Sequence, residues 1–359
     1  MHQYGTITPR IGKFLGKIFK NAIPVERLSR YGRAEPMPMN SGDQYVGRRY
    51  LPYGGLGTNA DTINRFFANG TGDRVAAMVQ AHQAQEGLTG PPDHLSATDT
   101  TVLIQEYDCL YSYTSKAAEM YEDDLPAEQV KQTGHRIALV SEMIRFLALK
   151  AGTNVYYGGV GTSIATVNGT LELPLQQRML RNLDANHAEE ITSMLKGSPD
   201  FGTEPVAQGF VAFVHTDLDT SVQKLQGFKP VELYASGKPM AGEIGKVGRV
   251  RYVGHADMIP RQDAGATVAN APGCLSTSGS NVDVYSGVLL GDNAWSHIAV
   301  RGTKNGSVNI APTHIKHNQK TKSDPHGRVG YVGAAWKTAV MLENNGWMAA
   351  FHVCAESLS

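Results

Sequence analysis

Asp324-Pro325-His326-Gly327-Arg328-Val329-Gly330-Tyr331-Val332-Gly333 leads into Trp336 and, after a short turn, Trp347. The stretch is rich in glycine and β-like, yet it has no phosphate-loop lysine, no nucleophile elbow and no metal-ligand spacing. Order without chemistry points to a part that builds rather than reacts. Immediately downstream, Ala339-Val340-Met341-Leu342 and Trp347-Met348-Ala349-Ala350-Phe351 flank Glu343-Asn344-Asn345-Gly346. Asn-Gly between two apolar runs is the strongest short-range hairpin signal, and it predicts a hairpin closing at Trp347.

Working back toward the N-terminus, Gly209-Phe210-Val211-Ala212-Phe213-Val214 reads as a buried strand, and Thr216 or Asp217 as the cap of a short helix through Leu225. Gly248 to Val253 and Val282 to Leu290 read as further strands. Residues 261–281, rich in Gly, Ala, Ser, Thr and Asn, read as a long exposed loop. Helical spacing of Leu110, Tyr113, Ala117 and Met120 predicts a helix from about Asp108 to Asp123. Pro126 fits the first position of a longer helix ending at Ala151, with Gly152 as its cap. Val130, Ile137, Val140, Ile144, Leu147 and Ala148 form its expected packing face. At ~1.5 Å per residue it spans ~39 Å, a beam across a thin subunit. Leu175, Met179, Leu183, Ile191 and Leu195 predict a third helix over 174–195.

The chain has 359 residues, 33 basic and 33 acidic, so its formal net charge is zero. That argues against a nucleic-acid binder working by bulk charge and suits a protein that packs against copies of itself. Cys109, Cys274 and Cys354 are few, odd in number and not in a CxxC pair, which points away from a disulfide framework and toward a reducing compartment. No run of 18 apolar residues occurs, and the N-terminus has no signal-peptide pattern.

Near the N-terminus, Ile11, Phe14, Leu15, Ile18 and Phe19 share one helical face, with Lys13, Lys17 and Lys20 on the other. Three readings stay open: an arm docking on a neighbouring chain or the body, an arm whose lysines meet phosphate, and an interfacial membrane helix. From Tyr31 to Leu95 the chain is poor in apolar runs. Gly42 to Pro52 reads as one arm of an extended hairpin, and residues 73–86 as a short helix before Gly90-Pro91-Pro92. Such an excursion does not bury itself; it needs a partner surface or stays mobile. Arg48-Arg49 reads equally as solvated surface charge or as a pair meeting carboxylates across an interface.

Catalytic constellations are weak. His314 and His317, with His326 downstream, lack the remaining ligands of a metal site. Gly158-Gly159-Val160-Gly161 follows a helix rather than opening one, unlike a dinucleotide fingerprint. Glu119, Glu122, Asp123 and Asp124 read as a solvated helix end. The sequence predicts neither an enzyme nor a cofactor. Two other classes stay in view: a ligand-binding soluble α/β protein, and a membrane-active protein using residues 11–20.

The order of features resembles the HK97-type fold of tailed-phage major capsid proteins, in the branch of certain short-tailed phages. The runs that carry it are Arg48-Arg49-Tyr50-Leu51-Pro52, Arg178-Met179-Leu180-Arg181, Gly209 through Asp217, Gly245 through Val253, and Asp324-Pro325 through Trp347-Met348. The resemblance implies an α+β fold. Residues 1–40 would be an N-terminal arm, 41–95 the extended E-loop, and 96–159 a P-domain with a long spine helix. Residues 160–305 would be a mixed α/β A-domain carrying the surface loop 261–281, and 306–359 a return to the P-domain sheet. It implies inter-subunit contact through Arg48, Arg49 and Tyr50, and a docking or DNA-facing role for Lys13, Phe14, Lys17, Ile18 and Lys20. Ile137, Ile144 and Leu147 would pack the spine helix. It further implies hexamers and pentamers in an icosahedral head, assembled in the host cytoplasm around double-stranded DNA, with a portal protein as partner and no membrane. Scaffolding and decoration proteins remain open.

Overall fold

The structure, a computed structural model, describes residues 26–37, 42–50, 83–84, 86–87, 97–121, 124–191, 209–234, 239, 242–300, 310–320 and 323–358. In chain order the elements are β1 (Arg33–Met37), β2 (Gln44–Tyr50), β3 (Ala97–Leu103), β4 (Gln105–Thr114), α1 (Ser115–Met120), α2 (Leu125–Lys150) and β5 (Val155–Tyr157). There follow α3 (Leu173–Ala185), β6 (Phe210–Val214), α4 (Asp219–Gln223), β7 (Phe228–Pro230), β8 (Glu243–Val247) and β9 (Val250–Gly254). The last are β10 (Val284–Leu290), β11 (Trp295–Val300), β12 (Ile310–Ile315), β13 (Val329–Leu342) and β14 (Met348–Cys354). The basic arm and nearly all of the expected helix over 73–86 lie outside the described residues.

The described residues fall into two units. The first draws on Met1–Tyr45, Val102–Leu147 and Ser296–Met341; the second on Val46–Thr101, Ala148–Trp295 and Leu342–Ser359. In the first unit β13 is the organising strand. It pairs antiparallel with β4 from Val329↔Thr114 to Thr338↔Gln105, and with β12 from Ile310↔Trp336 to Ile315↔Tyr331. β11 continues the sheet, with β1 parallel to it. The opening motif works as a turn: Asp324 accepts the N–H of Val329 at 2.9 Å, and Gly327 supplies φ +62°. Gly330 lies against the ring of Tyr113, which occupies the space a Cβ would need. α2 flanks β4, with the Arg136 guanidinium 5.9 Å from the centre of the Tyr111 ring.

The second unit holds a seven-stranded mixed sheet in the order β5-β14-β10-β6-β9-β8-β7. β6, β9, β10 and β14 are buried along their whole length, as apolar runs covered on both faces must be. β10 and β14 pair antiparallel over seven residues, and Gly287 opposite Phe351 leaves room for that ring. α3 lays Leu175, Met179 and Leu183 on the core formed with Phe210, Val250 and Phe351. Its one buried amide, Gln176, donates to the Val247 carbonyl at 2.9 Å and accepts from the Tyr252 hydroxyl at 2.9 Å.

Several sequence expectations are corrected here. The segment 108–123 is not one helix. Residues 105–114 form β4, because Tyr107, Cys109, Tyr111 and Tyr113 alternate inward, and only Ser115–Met120 turns helical after a Thr114 cap. The third helix ends at Ala185, where His187 takes φ +53°, and Ile191 instead bridges Gly209. The short helix is entered through a cap by His215, whose Nδ1 accepts from Asp217 N–H at 3.1 Å.

Asn344-Asn345-Gly346 closes no hairpin. The Asn344 side chain accepts from Gly346 N–H at 2.9 Å, a one-turn 3-10 helix follows, and β13 and β14 enter different sheets. β14 is apolar on both faces and finds its cover between β5 and β10; β13 alternates. Residues 342–359 therefore belong to the second unit, as do 148–159 through the pairing of β5 with β14, while Ser296 onward already belongs to the first. The segment 261–281 has no strand or long helix, but it is anchored. Asp283 accepts from Asp263 N–H and from the Thr277 N–H and hydroxyl, and Asp263 from Asn281 N–H.

Candidate functional site

Chemistry is sparse among the described residues. No group of three or more His, Cys, Asp or Glu side chains there is placed to hold a metal ion. His314 is exposed on β12, His317 lies edge-on to Tyr113 and 4.0 Å from Glu119, and His326 is exposed in the turn before β13. A cavity of about 510 Å³ opens in the second unit where the start of α3 meets the end of α4. Leu171, Leu173, Leu225 and Pro272 give it apolar walls, and the bonded pair Lys224–Glu356 lies beside them. No histidine lines it.

The surfaces are more informative. β2 and β3 form a two-stranded ribbon. On it Arg48 donates Nε–H to Asp99 Oδ1 at 2.7 Å and a terminal N–H to Oδ2 at 2.8 Å. The bond raises the Arg48 pKa and lowers that of Asp99. The carboxylate that Arg48 meets is thus one of its own chain, because ribbon pairing places Asp99 across from it. Arg49 is half-buried and Tyr50 is 63% exposed; Val46 is 54% exposed. Residues alternate along β2, but among the described residues no core covers the outer face, so Val46 and Tyr50 flank the ion pair as an open apolar surface. At the root of the ribbon, Tyr45, Val102 and Ile104 pack on Met37, Ile298, Ala339 and Met341.

Along α2 the face expected to be buried is not the buried one. Leu147 is 62% exposed, Val130 is exposed, and Ile137 and Ile144 are half-covered. The chain instead buries Gln129, Thr133, Glu142, Phe146 and Leu149. The reason is Glu142. Its carboxylate accepts the backbone N–H groups of Arg27 at 2.8 Å and Leu28 at 2.7 Å, and Arg145 bridges Glu142 and Glu26 at 3.2 and 3.0 Å. This well-satisfied charge ties the helix to the segment that begins at Glu26. Sequence reasoning missed it; a lone glutamate between Val140 and Ile144 was the available signal. Lys13, Phe14, Lys17, Ile18 and Lys20 lie outside the described residues. At the edge of the first sheet, all six residues of β12 are exposed, Ile310 and Ile315 among them.

No family model and no curated protein sequence matches the chain. Solved structures do. "Capsid of Ralstonia phage GP4" matches with a TM-score of 0.64 and 12% identity over 99% of this chain and 98% of that one. This chain has the fold of phage capsid structures. "Cyanophage Pam1 capsid asymmetric unit" gives a TM-score of 0.60 at 12% identity, over 99% and 100% of the two chains. "The head structure of Helicobacter pylori bacteriophage KHP40" gives 0.57 at 13% identity, over 99% and 97%. Among the described residues no helix is long and apolar enough to cross a membrane.

Proposed function

We propose that this chain is the major capsid protein of a tailed bacteriophage, with an HK97-type fold, forming the hexamers and pentamers of an icosahedral head around double-stranded DNA. The observation that carries the reading is the end-to-end correspondence with phage capsid structures, in which neither chain leaves a spare domain. The surface chemistry supports it. Open apolar positions recur on the β2–β3 ribbon, α2 and β12, each too small for a strong binary complex. A shell needs many such contacts. A subunit held by several neighbours leaves only when all release together, so modest pairwise contacts add up to a durable wall.

In this reading the β2–β3 ribbon is the base of the E-loop and lies over a neighbouring subunit, with Arg48, Arg49 and Tyr50 at the contact. α2 is the spine of the P-domain, and the seven-stranded sheet belongs to the A-domain. Lys13, Phe14, Lys17, Ile18 and Lys20 dock on a neighbour or face the packaged DNA. A portal protein occupies one vertex. The protein performs no catalysis, and it resides in the virion after assembly in the host cytoplasm. Expression of the full chain followed by size-exclusion chromatography and negative-stain imaging tests the proposal. Closed or partial shells are the expected result; strictly monomeric material under all assembly conditions overturns it.

A further inference from the structure

Two of the three cysteines meet in the second unit. Cys354 ends β14, and Cys274 lies in the anchored segment that runs beside it. The two stretches pair locally. Leu275 N–H donates to the Ala355 carbonyl at 2.8 Å, Ser357 N–H donates to the Gly273 carbonyl at 2.8 Å, and Cys274 bridges antiparallel to Glu356. In that register Cys274 and Cys354 are diagonal neighbours on one face. Both belong to one apolar cluster with Val167, Ala271, Val282 and Val284.

The two thiols differ in access. Cys354 is fully buried, with Sγ 3.8 Å from the Val167 carbonyl. Cys274 is 9% exposed and forms part of the wall of the 510 Å³ cavity. Ser221 lines the same cavity. It is 96% buried, and its hydroxyl has no hydrogen-bond partner among the described residues. The neighbouring Cys354 draws the Cys274 thiol below its ordinary pKa, against the opposing effects of burial and of Glu356; Cys274 and burial push Cys354 up. One thiol borders the cavity, while the other is fully enclosed in the apolar cluster.

We propose that Cys274 is a hydroperoxide-reactive thiol and that Cys354 resolves it into an intrachain disulfide tying the 271–276 segment to β14. The Cys274 sulfur attacks one oxygen of hydrogen peroxide or a small alkyl hydroperoxide. The O–O bond breaks, and the departing oxygen takes the thiol proton and leaves as water or alcohol, giving Cys274–SOH. The Cys354 sulfur then attacks the Cys274 sulfur, the S–O bond breaks, and hydroxide leaves with the Cys354 proton as water. Two thiols lose two electrons and the peroxide gains them. Closure falls to the loop side. β14 is held by β5 and β10, whereas Gly273 beside Cys274 sits at φ +81° with open space around it. The product would form as the protein passes from a reducing to an oxidising compartment, and the inference does not depend on the shell reading.

The test uses the reduced full-length chain, exposed to hydrogen peroxide, denatured, and labelled with a maleimide mass tag. Untreated protein takes three tags, one for each cysteine. After peroxide the expected result is one tag, on Cys109, with an intact mass lighter by two hydrogens and no dimer on a non-reducing gel. In Cys354→Ser, dimedone should trap a sulfenic acid at residue 274. In Cys274→Ser, two tags should persist with or without peroxide. Three tags after treatment, oxidation confined to Cys109, or a disulfide between chains overturns the proposal.

Discussion

Glu142 is the most consequential single side chain of the first unit. It is 97% buried, and its carboxylate receives two backbone N–H groups and Arg145. Glu142→Ala leaves Arg145 with Glu26 alone and two N–H groups unpaired, so it should cost about 3 kcal/mol in urea denaturation of dissociated subunits. Glu142→Gln keeps an acceptor oxygen and should cost less. In the second unit His352 is buried on β14 with Nδ1 2.9 Å from the Ser286 hydroxyl. Burial first, then Arg261 and Lys150, holds its pKa down to about 4. The folded chain therefore resists a proton that the unfolded chain accepts near pH 6.5. The stabilising effect is whole above pH 6.5 and drains away as pH falls to 4, on the order of 3 kcal/mol at roughly 1.4 kcal/mol per pH unit. The urea midpoint should fall across that window, and His352→Gln should flatten the fall. A residual slope is expected from His297, whose pKa burial and Arg145 shift in the same direction.

Among the elements, the β2–β3 ribbon tests the assembly reading most directly. Arg48 and Asp99 are open to solvent and make no core contact, so Arg48→Glu or Asp99→Arg should leave the melting temperature of isolated subunits unchanged. Each should lower the yield of particles counted by negative stain, and the double exchange, which restores the pair, should recover part of it. Normal yields from both single variants would remove the pair from any role in assembly. The sequence announced one arm of this ribbon at Gly42 to Pro52 but not Ala97–Leu103, because Ala97-Thr98-Asp99-Thr100-Thr101 has almost no apolar signal and is held by pairing alone. β6, β9, β10 and α2 were legible for the opposite reason: long apolar runs and a proline-to-glycine frame leave few alternatives. β4 was misread because Leu110, Tyr113, Ala117 and Met120 satisfy a helical period while Tyr107, Cys109, Tyr111 and Tyr113 satisfy a strand period. Long-range pairing with β13 decides between them. The turn at Asn344 misled because a local hairpin preference says nothing about which sheet has a vacant, doubly covered position.

For the whole molecule, the course of the chain after β13 sets what truncation does. Having completed the first sheet, it crosses at Leu342 and places β14 inside the second, between β5 and β10. Ala349, Phe351, Val353 and Ala355 then fill the main core beside Phe210 and Tyr285. Removing residues 343–359 strips an interior strand, frees the pairing edges of β10 and β5, and empties part of the core. At about 25 cal/mol per Å² of apolar surface the loss exceeds the stability of an ordinary domain. Such a truncation should yield insoluble protein, with no cooperative melting transition. Removing residues 1–25 should act otherwise. The cut falls just before Glu26, so the bonds of Glu26, Arg27 and Leu28 to α2 survive and the first unit keeps its anchor. The shortened chain should melt within a few degrees of the full one by calorimetry while forming fewer particles by negative stain. A shortened chain that assembled as well as the full one, into particles of equal thermal stability, would show that residues 11–20 hold nothing together and would leave their lysines to another partner.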